Sequence, residues 1–386
     1  MALFEYFPNY VWNLSIAVAM ENGGKIGEIV DMCQPIKDAA DNGEDAGTED
    51  FHREWVKMAD KLVELAAEDE AKGRQFSAGS KLKRASIYYV TAERMQGHGY
   101  PGRMKTYKKG LDAFAKGTRF VQDNIKRVEI PYGENNSLSA YLTLADGDNP
   151  KPIVIYCNGL DSCKEMLWLG GFPMALAKRG ISCLCVDQPG TGEALRLQKI
   201  PATYASEEWA SAWVDWLEQQ AFVDPQNIGM TGISLGGHFA PRAVAFDPRF
   251  ASGAVWGANH NWAEVQHKRI NREGENPVPH YWDHVMWVFG CNNMDEFMEK
   301  TEGMTLEGVM AKIKVPFLVT HGAEDRQISV DYAQKSYDQL VNSVNRQLKI
   351  FTHREGGVEH VGADNMSFGC DYIADWFADT LAGHTA

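Results

Sequence analysis

Gly232-Ile233-Ser234-Leu235-Gly236, with Gly237 behind it, is the stretch of this chain whose residue types and spacing suit covalent chemistry. A serine hydroxyl is a weak nucleophile at neutral pH and must be brought within reach of a base. The G-x-S-x-G pattern does this by setting the serine on a sharp strand-to-helix turn, where a side chain at either glycine would clash. The surroundings fit: the apolar run Asn227-Ile228-Gly229-Met230 precedes the motif and a small-residue helical stretch follows it. Ser234 is expected to attack a carbonyl. That chemistry needs three more parts: a base, an acid to orient the base, and N–H donors for the oxyanion.

The elements that must position these parts change character along the chain. As far as about Gln122 the pattern is helical: Phe51, Trp55, Met58, Leu62 and Leu65 recur at three- and four-residue steps. Two further helices are expected over Leu82 to Met95 and from Met104 to Val121, separated by the breaker Gly97 to Gly102. From Ile125 the period becomes two, and Ile125 to Ile130 and Leu138 to Leu144 read as a hairpin. Short apolar runs follow at Ile153–Cys157, Ile181–Val186, Ile228–Thr231, Gly253–Trp256, Val315–Thr320 and Leu348–Phe351. Amphipathic stretches such as Met166–Lys178 and Glu207–Gln220 lie between them, so an α/β fold with a mainly parallel eight-stranded sheet flanked by helices is expected. The expected organisation is an N-terminal helical lid domain over 1–122 and a catalytic domain over 123–386, with a helical insert at about 257–314 after the sixth strand.

An opening hairpin, then strand–helix alternation, with the elbow after the fifth strand, resembles the α/β hydrolases. In that plan the chain order is Ser, then Asp or Glu, then His. Asp325, just past the run Val315–Thr320, is the expected orienting acid, with Glu324 as the neighbour that could replace it. His360 is preferred as base over His353, because the loop Glu355 to His360 carries glycines that let it reach over the sheet edge. The oxyanion donors are expected to be the N–H groups of Leu235 and of Leu160, the latter in the turn Asn158-Gly159-Leu160-Asp161-Ser162. The insert is rich in aromatics. Trp256, Trp262, Tyr281 and Trp282 are candidates to face a planar apolar substrate, against the alternative that they pack the insert onto the sheet. His280 and His284 stand four apart with Asp283 between, but Pro277, Pro279 and the dense aromatics favour packing over a metal site. Pro189-Gly190-Thr191-Gly192 lacks a dinucleotide fingerprint's third glycine, so no nucleotide cofactor is expected.

Two loops narrow the resemblance further: Asn158 to Glu165 after the third strand and Asp187 to Glu193 after the fourth. With Asn9-Tyr10-Val11-Trp12-Asn13 and Gly23 to Glu28, they are similar to the carbon–carbon bond hydrolases typified by 2,6-dihydroxypseudooxynicotine hydrolase and to fungal hydrolases that shorten polyketide pigment precursors. The resemblance implies a helical domain closing over the core, a homodimer, and an aromatic or polyketide-like small-molecule substrate. It also implies a catalytic glutamate at Glu165, for which a helix-start carboxylate is the plainer reading. Carboxylesterase, lactonase and acyltransferase activities share the same triad and stay open.

Composition limits the remaining possibilities. A net charge of −14 over 386 residues argues against nucleic-acid and anionic-membrane partners. Seven cysteines without metal-ligand spacing read as reduced thiols of a cytoplasmic protein. The apolar stretch Tyr10–Met20 is too short, and too interrupted by Asn13 and Ser15, to be an anchor or a signal. N-x-S sequons at Asn13, Asn135 and Asn365 are read as chance.

Overall fold

A computed structural model describes residues 3–41, 48–134, 136–271 and 276–382. They form two compact units. The first comprises the described residues of Leu3–Ile125 with Asn276–His284, and the second the described residues from Lys126 onward apart from that segment.

In the first unit the long helices are Tyr10–Glu21, Thr48–Ala71, Gln75–Arg94 and Arg103–Phe120. The predicted stripe faces inward: Phe51, Trp55, Met58 and Leu62 are buried, and the Phe51 and Trp55 rings stack at 4.7 Å. One ion pair is wholly enclosed, Arg103 Nε to Glu93 Oε1 at 2.6 Å. Asn13 is buried, donating to the Phe7 carbonyl and accepting the Phe7 N–H. Asn135, another sequon position, lies outside the described residues.

The second unit is built on one sheet. Its strands are β1 Lys126–Tyr132, β2 Asn136–Thr143, β3 Lys151–Cys157, β4 Ser182–Val186, β5 Val223–Ile233, β6 Phe250–Trp256, β7 Phe317–Gly322 and β8 Arg346–Phe351. Their order is β1-β2-β4-β3-β5-β6-β7-β8. β2 runs antiparallel to β1 and β4, and the other neighbours are parallel. The central strands are buried along nearly their whole length, as sheets covered on both faces require. Each expected apolar run lies in one of these strands.

Met166–Lys178, expected as one helix, is two, Lys164–Leu169 and Phe172–Ala177. Gly170 caps the first, and Gly171 at φ +84° turns the chain into the second. The insert after β6 carries Trp262–Ile270, Tyr281–Phe289 and Met294–Thr301. Among the described residues no helix is long and apolar enough to cross a membrane. All seven thiols are free, and Cys33, Cys157, Cys163, Cys183 and Cys185 are buried.

Candidate active site

β5 ends at Ile233 and the helix Gly236–Phe246 begins three residues later, so Ser234 occupies the turn at φ +57°. The glycines are required by contact as well as conformation. A Cβ at Gly232 would lie 2.2 Å from the Gly236 carbonyl oxygen, and one at Gly237 2.0 Å from that of Gly257. The Ser234 N–H donates to the Trp256 carbonyl at 2.9 Å, which ties the turn to the end of β6.

His360 Nε2 lies 2.8 Å from Ser234 Oγ, and His360 Nδ1 lies 2.7 Å from Asp325 Oδ2. Asp325 is enclosed, and its Oδ1 accepts the N–H groups of Gln327 at 2.8 Å and Ile328 at 3.0 Å. Burial works to raise the Asp325 carboxyl, but the facing His360 and these hydrogen bonds outweigh it and hold it below its usual range. An ionised Asp325 keeps the proton of His360 on Nδ1, leaving Nε2 free to take the serine's.

His353 and Glu324, the alternatives by sequence, pair with each other instead, at 2.7 Å, with side chains 63% and 48% exposed. A residue not singled out by sequence, His321, also abuts the acid, its Nε2 3.4 Å from Asp325 Oδ2. His321 Nδ1 accepts the Ala258 N–H, so Nε2 carries the proton and donates to the Ile328 carbonyl. Burial pushes the His321 imidazole down, which keeps it neutral. Thus β7, the Asp325 loop and the turn after β6 are joined through one ring.

The turn after β3 passes directly against the nucleophile. A Cβ at Gly159 would stand 3.0 Å from Ser234 Cβ and 3.4 Å from its Oγ. Ser162 Oγ donates to Asn158 Oδ1 and accepts the Gly159 N–H, while Gln188 holds Asn158 through both backbone groups. Among the described residues no backbone carbonyl takes up the N–H of Leu160 or of Leu235. Those two groups can therefore serve an oxyanion.

Glu165 is fully buried in a charge cluster beside Lys164. Lys164 Nζ lies 2.8 Å from Glu165 Oε1, 2.9 Å from Asp187 Oδ2 and 2.5 Å from Glu193 Oε1. Arg127 pairs with Glu193 from the other side. Lys164 thus faces three carboxylates, and Arg127 is shared between Glu193 and Glu129. Neither Glu165 oxygen makes a well-directed hydrogen bond, and burial, assisted by Asp187, raises its carboxyl despite Lys164. Glu193 goes the other way: burial is overcome by Arg127 and Lys164, which hold it at about 2. Asp187 links the cluster to the turn after β3, accepting the Lys164 N–H at 2.8 Å and Asn158 Nδ2 at 3.3 Å.

The aromatics expected to face substrate divide. Trp256 packs edge-on to Phe172 and lies so close to Gly369 that a Cβ there would be 2.9 Å from its indole. Trp262 stacks on Phe289 and meets the edge of Phe297. Both rings are 2% exposed and fill core space, because a large apolar surface is best covered by protein where protein is near. Tyr281 is buried and Trp282 half-buried, their rings edge to face at 5.0 Å. Among the described residues no group of three His, Cys, Asp or Glu side chains is arranged to hold a metal.

The chain is similar to known hydrolases. The 20-hydroxy-prefusarin hydrolase FUS2 of Gibberella moniliformis is 26% identical over 365 residues, covering 84% of each chain. The 2,6-dihydropseudooxynicotine hydrolase of Paenarthrobacter nicotinovorans is 26% identical over 275 residues, 70% of each. The crystal structure of the 2,6-dihydroxy-pseudo-oxynicotine hydrolase matches with a TM-score of 0.77 at 21% identity, over 96% of this chain and 97% of that one. The shared fold is that of the α/β hydrolases. The model of the FrsA-like esterases matches residues 47–279, more than half of the chain, and this enzyme belongs to that family.

Proposed function

We propose that this α/β hydrolase is a serine enzyme that cleaves a carbon–carbon bond next to a carbonyl through an acyl-enzyme on Ser234. The observation that carries the reading is the continuous hydrogen-bonded chain from Ser234 through His360 to Asp325. Ser234 Oγ attacks the carbonyl carbon of a β-diketone or acyl-aromatic ketone while His360 Nε2 takes its proton. The N–H groups of Leu160 and Leu235 receive the oxyanion. Collapse breaks the carbon–carbon bond, and the departing enolate or aryl carbanion takes the proton from His360. Water then attacks the acyl-enzyme with His360 as base, releasing a carboxylic acid and restoring Ser234 Oγ–H. Glu165, whose carboxyl burial raises, completes the cluster behind the Leu160 turn and acts on the reaction by positioning. The substrate class is supported by the resemblance of the Asn158–Glu165 and Asp187–Glu193 loops to carbon–carbon bond hydrolases. Relatives named for pseudooxynicotine and prefusarin compounds also support a small organic substrate. Cytoplasmic residence and a homodimer belong to the same proposal.

Ester hydrolysis is the second reading, favoured by the family's esterase description. Product analysis on paired aryl β-diketones and matched aryl esters, with wild type and Ser234→Ala, separates the two. Serine-dependent acid and ketone from the diketone, formed at least as fast as ester products, supports carbon–carbon cleavage. Turnover of the esters alone rejects it.

A further inference from the structure

The acid and the base of the site come from different loops, joined besides their own hydrogen bond by the Glu324 N–H to the Val358 carbonyl at 2.9 Å and by a second side-chain pair immediately alongside. Arg326 follows Asp325 in sequence, and Glu359 precedes His360. Arg326 Nε donates to Glu359 Oε2 at 3.1 Å and Nη2 donates to Oε1 at 3.0 Å, a forked two-bond pairing. Glu359 is 3% exposed, so a surface ion pair's weakness does not apply to its end of the bond. The loop behind it is also braced: Asp364 accepts the N–H groups of Gly357, Val358 and Glu359. Val361, next after His360, is held at φ +50°, a conformation that costs a branched residue and persists only when its surroundings impose it.

We infer that Arg326 and Glu359 are positioning residues that latch the Asp325 loop to the His360 loop and hold the imidazole at the distance and charge balance its role requires. The inference rests on the proposed role of His360. The groups around that imidazole are Asp325 and Ser234 in contact, His321 from the end of β7, Glu359 and Asp364 on its own loop, and Arg326 beyond Glu359. Arg326 and Glu359 carry opposite charges next to a ring that gains a positive charge when it works. Neutralising them one at a time must therefore act in opposite directions, whereas mere loosening of the loops would act in one.

The test is an NMR titration of ring-labelled histidine in wild type, Arg326→Gln, Glu359→Gln and the swap Arg326→Glu/Glu359→Arg, paired with the rate of Ser234 labelling by a fluorophosphonate. With Arg326 neutral, the His360 titration moves to higher pH by about half a unit to one unit; with Glu359 neutral, it moves down by about as much. The swap restores the pairing and recovers most of the labelling rate, which falls about tenfold in either single variant. Arg326→Lys, which keeps the charge and loses the fork, leaves the titration in place and slows labelling, and it stands in if the glutamine variant does not fold. Single variants that shift the titration the same way, or not at all, overturn the latch. Opposite shifts in a protein whose Ser234 never labels uphold the latch and reject the nucleophile.

Discussion

Replacing Lys164 by methionine removes the ammonium that Glu165, Asp187 and Glu193 share, while filling most of the volume it leaves. Taking away one partner of a fully buried pair costs about 3–5 kcal/mol, because the remaining charge is left without compensation. Glu193 gives a second measure. Its carboxyl is held at about 2 against an ordinary 4.5, which is worth roughly 3 kcal/mol, divided between Arg127 and Lys164. Stability from a depressed carboxylate is fully present above its unfolded value and is lost as pH falls toward the folded one, so wild type keeps this contribution down to about pH 4.5. In Lys164→Met the Glu193 carboxyl loses one of the two cations that hold it low, so it takes up a proton at higher pH than in wild type. The deficit is therefore largest at pH 8, at about 3–5 kcal/mol, and shrinks by half or more at pH 5. Urea unfolding at the two pH values reads this directly. The companion Glu165→Gln is expected to be neutral or stabilising and to keep activity within about threefold, since amide and carboxyl have nearly the same shape and neither Glu165 oxygen makes a well-directed hydrogen bond that the amide would lose. A Lys164→Met deficit equal at both pH values refutes the charge balance. A hundredfold loss of carbon–carbon cleavage in Glu165→Gln returns Glu165 to the role of proton donor.

Other perturbations separate the parts of the site. Asp325→Asn is expected to reduce kcat by about 10³–10⁴ with the fold intact, because the amide no longer fixes the His360 tautomer; circular dichroism and burst kinetics check both halves. Gly159→Ala places a methyl 3.0 Å from Ser234 Cβ, so kcat should fall about a hundredfold while stability changes by about 1–2 kcal/mol. Glu324→Gln and His353→Ala break only the exposed pair and should leave kcat within about twofold; a large loss in either would reopen the choice of acid or base.

The three residues that the structure brings together, Ser234, His360 and Asp325, and all eight strands were legible because each leaves a local signature: a glycine-flanked serine, a carboxylate past a strand end, a histidine on a glycine loop. The Lys164 cluster was not. Lys164, Asp187 and Glu193 read as loop charges in sequence, and burial brought about by the meeting of three segments has no one-dimensional trace. Trp256 and Trp262 were ambiguous for the related reason that an aromatic has the same pattern whether protein or substrate covers it. The break at Gly170-Gly171 was visible as two glycines, yet the apolar periodicity on either side concealed it.

The helix Met366–Leu381 packs against the strands that carry the elbow: Trp376 Nε1 donates to the Gly253 carbonyl of β6, and Phe377 lies where a Cβ on Gly229 of β5 would meet it at 2.8 Å. His360 lies 126 residues beyond Ser234, and this helix follows it. A nascent chain that has already emerged through Ser234 has an uncovered sheet face and an unpartnered serine. Ser234 and its hydrogen-bond partners are thus made at different times: the serine emerges first, and the groups that would arm it come only once β7, β8 and the loops after them have followed.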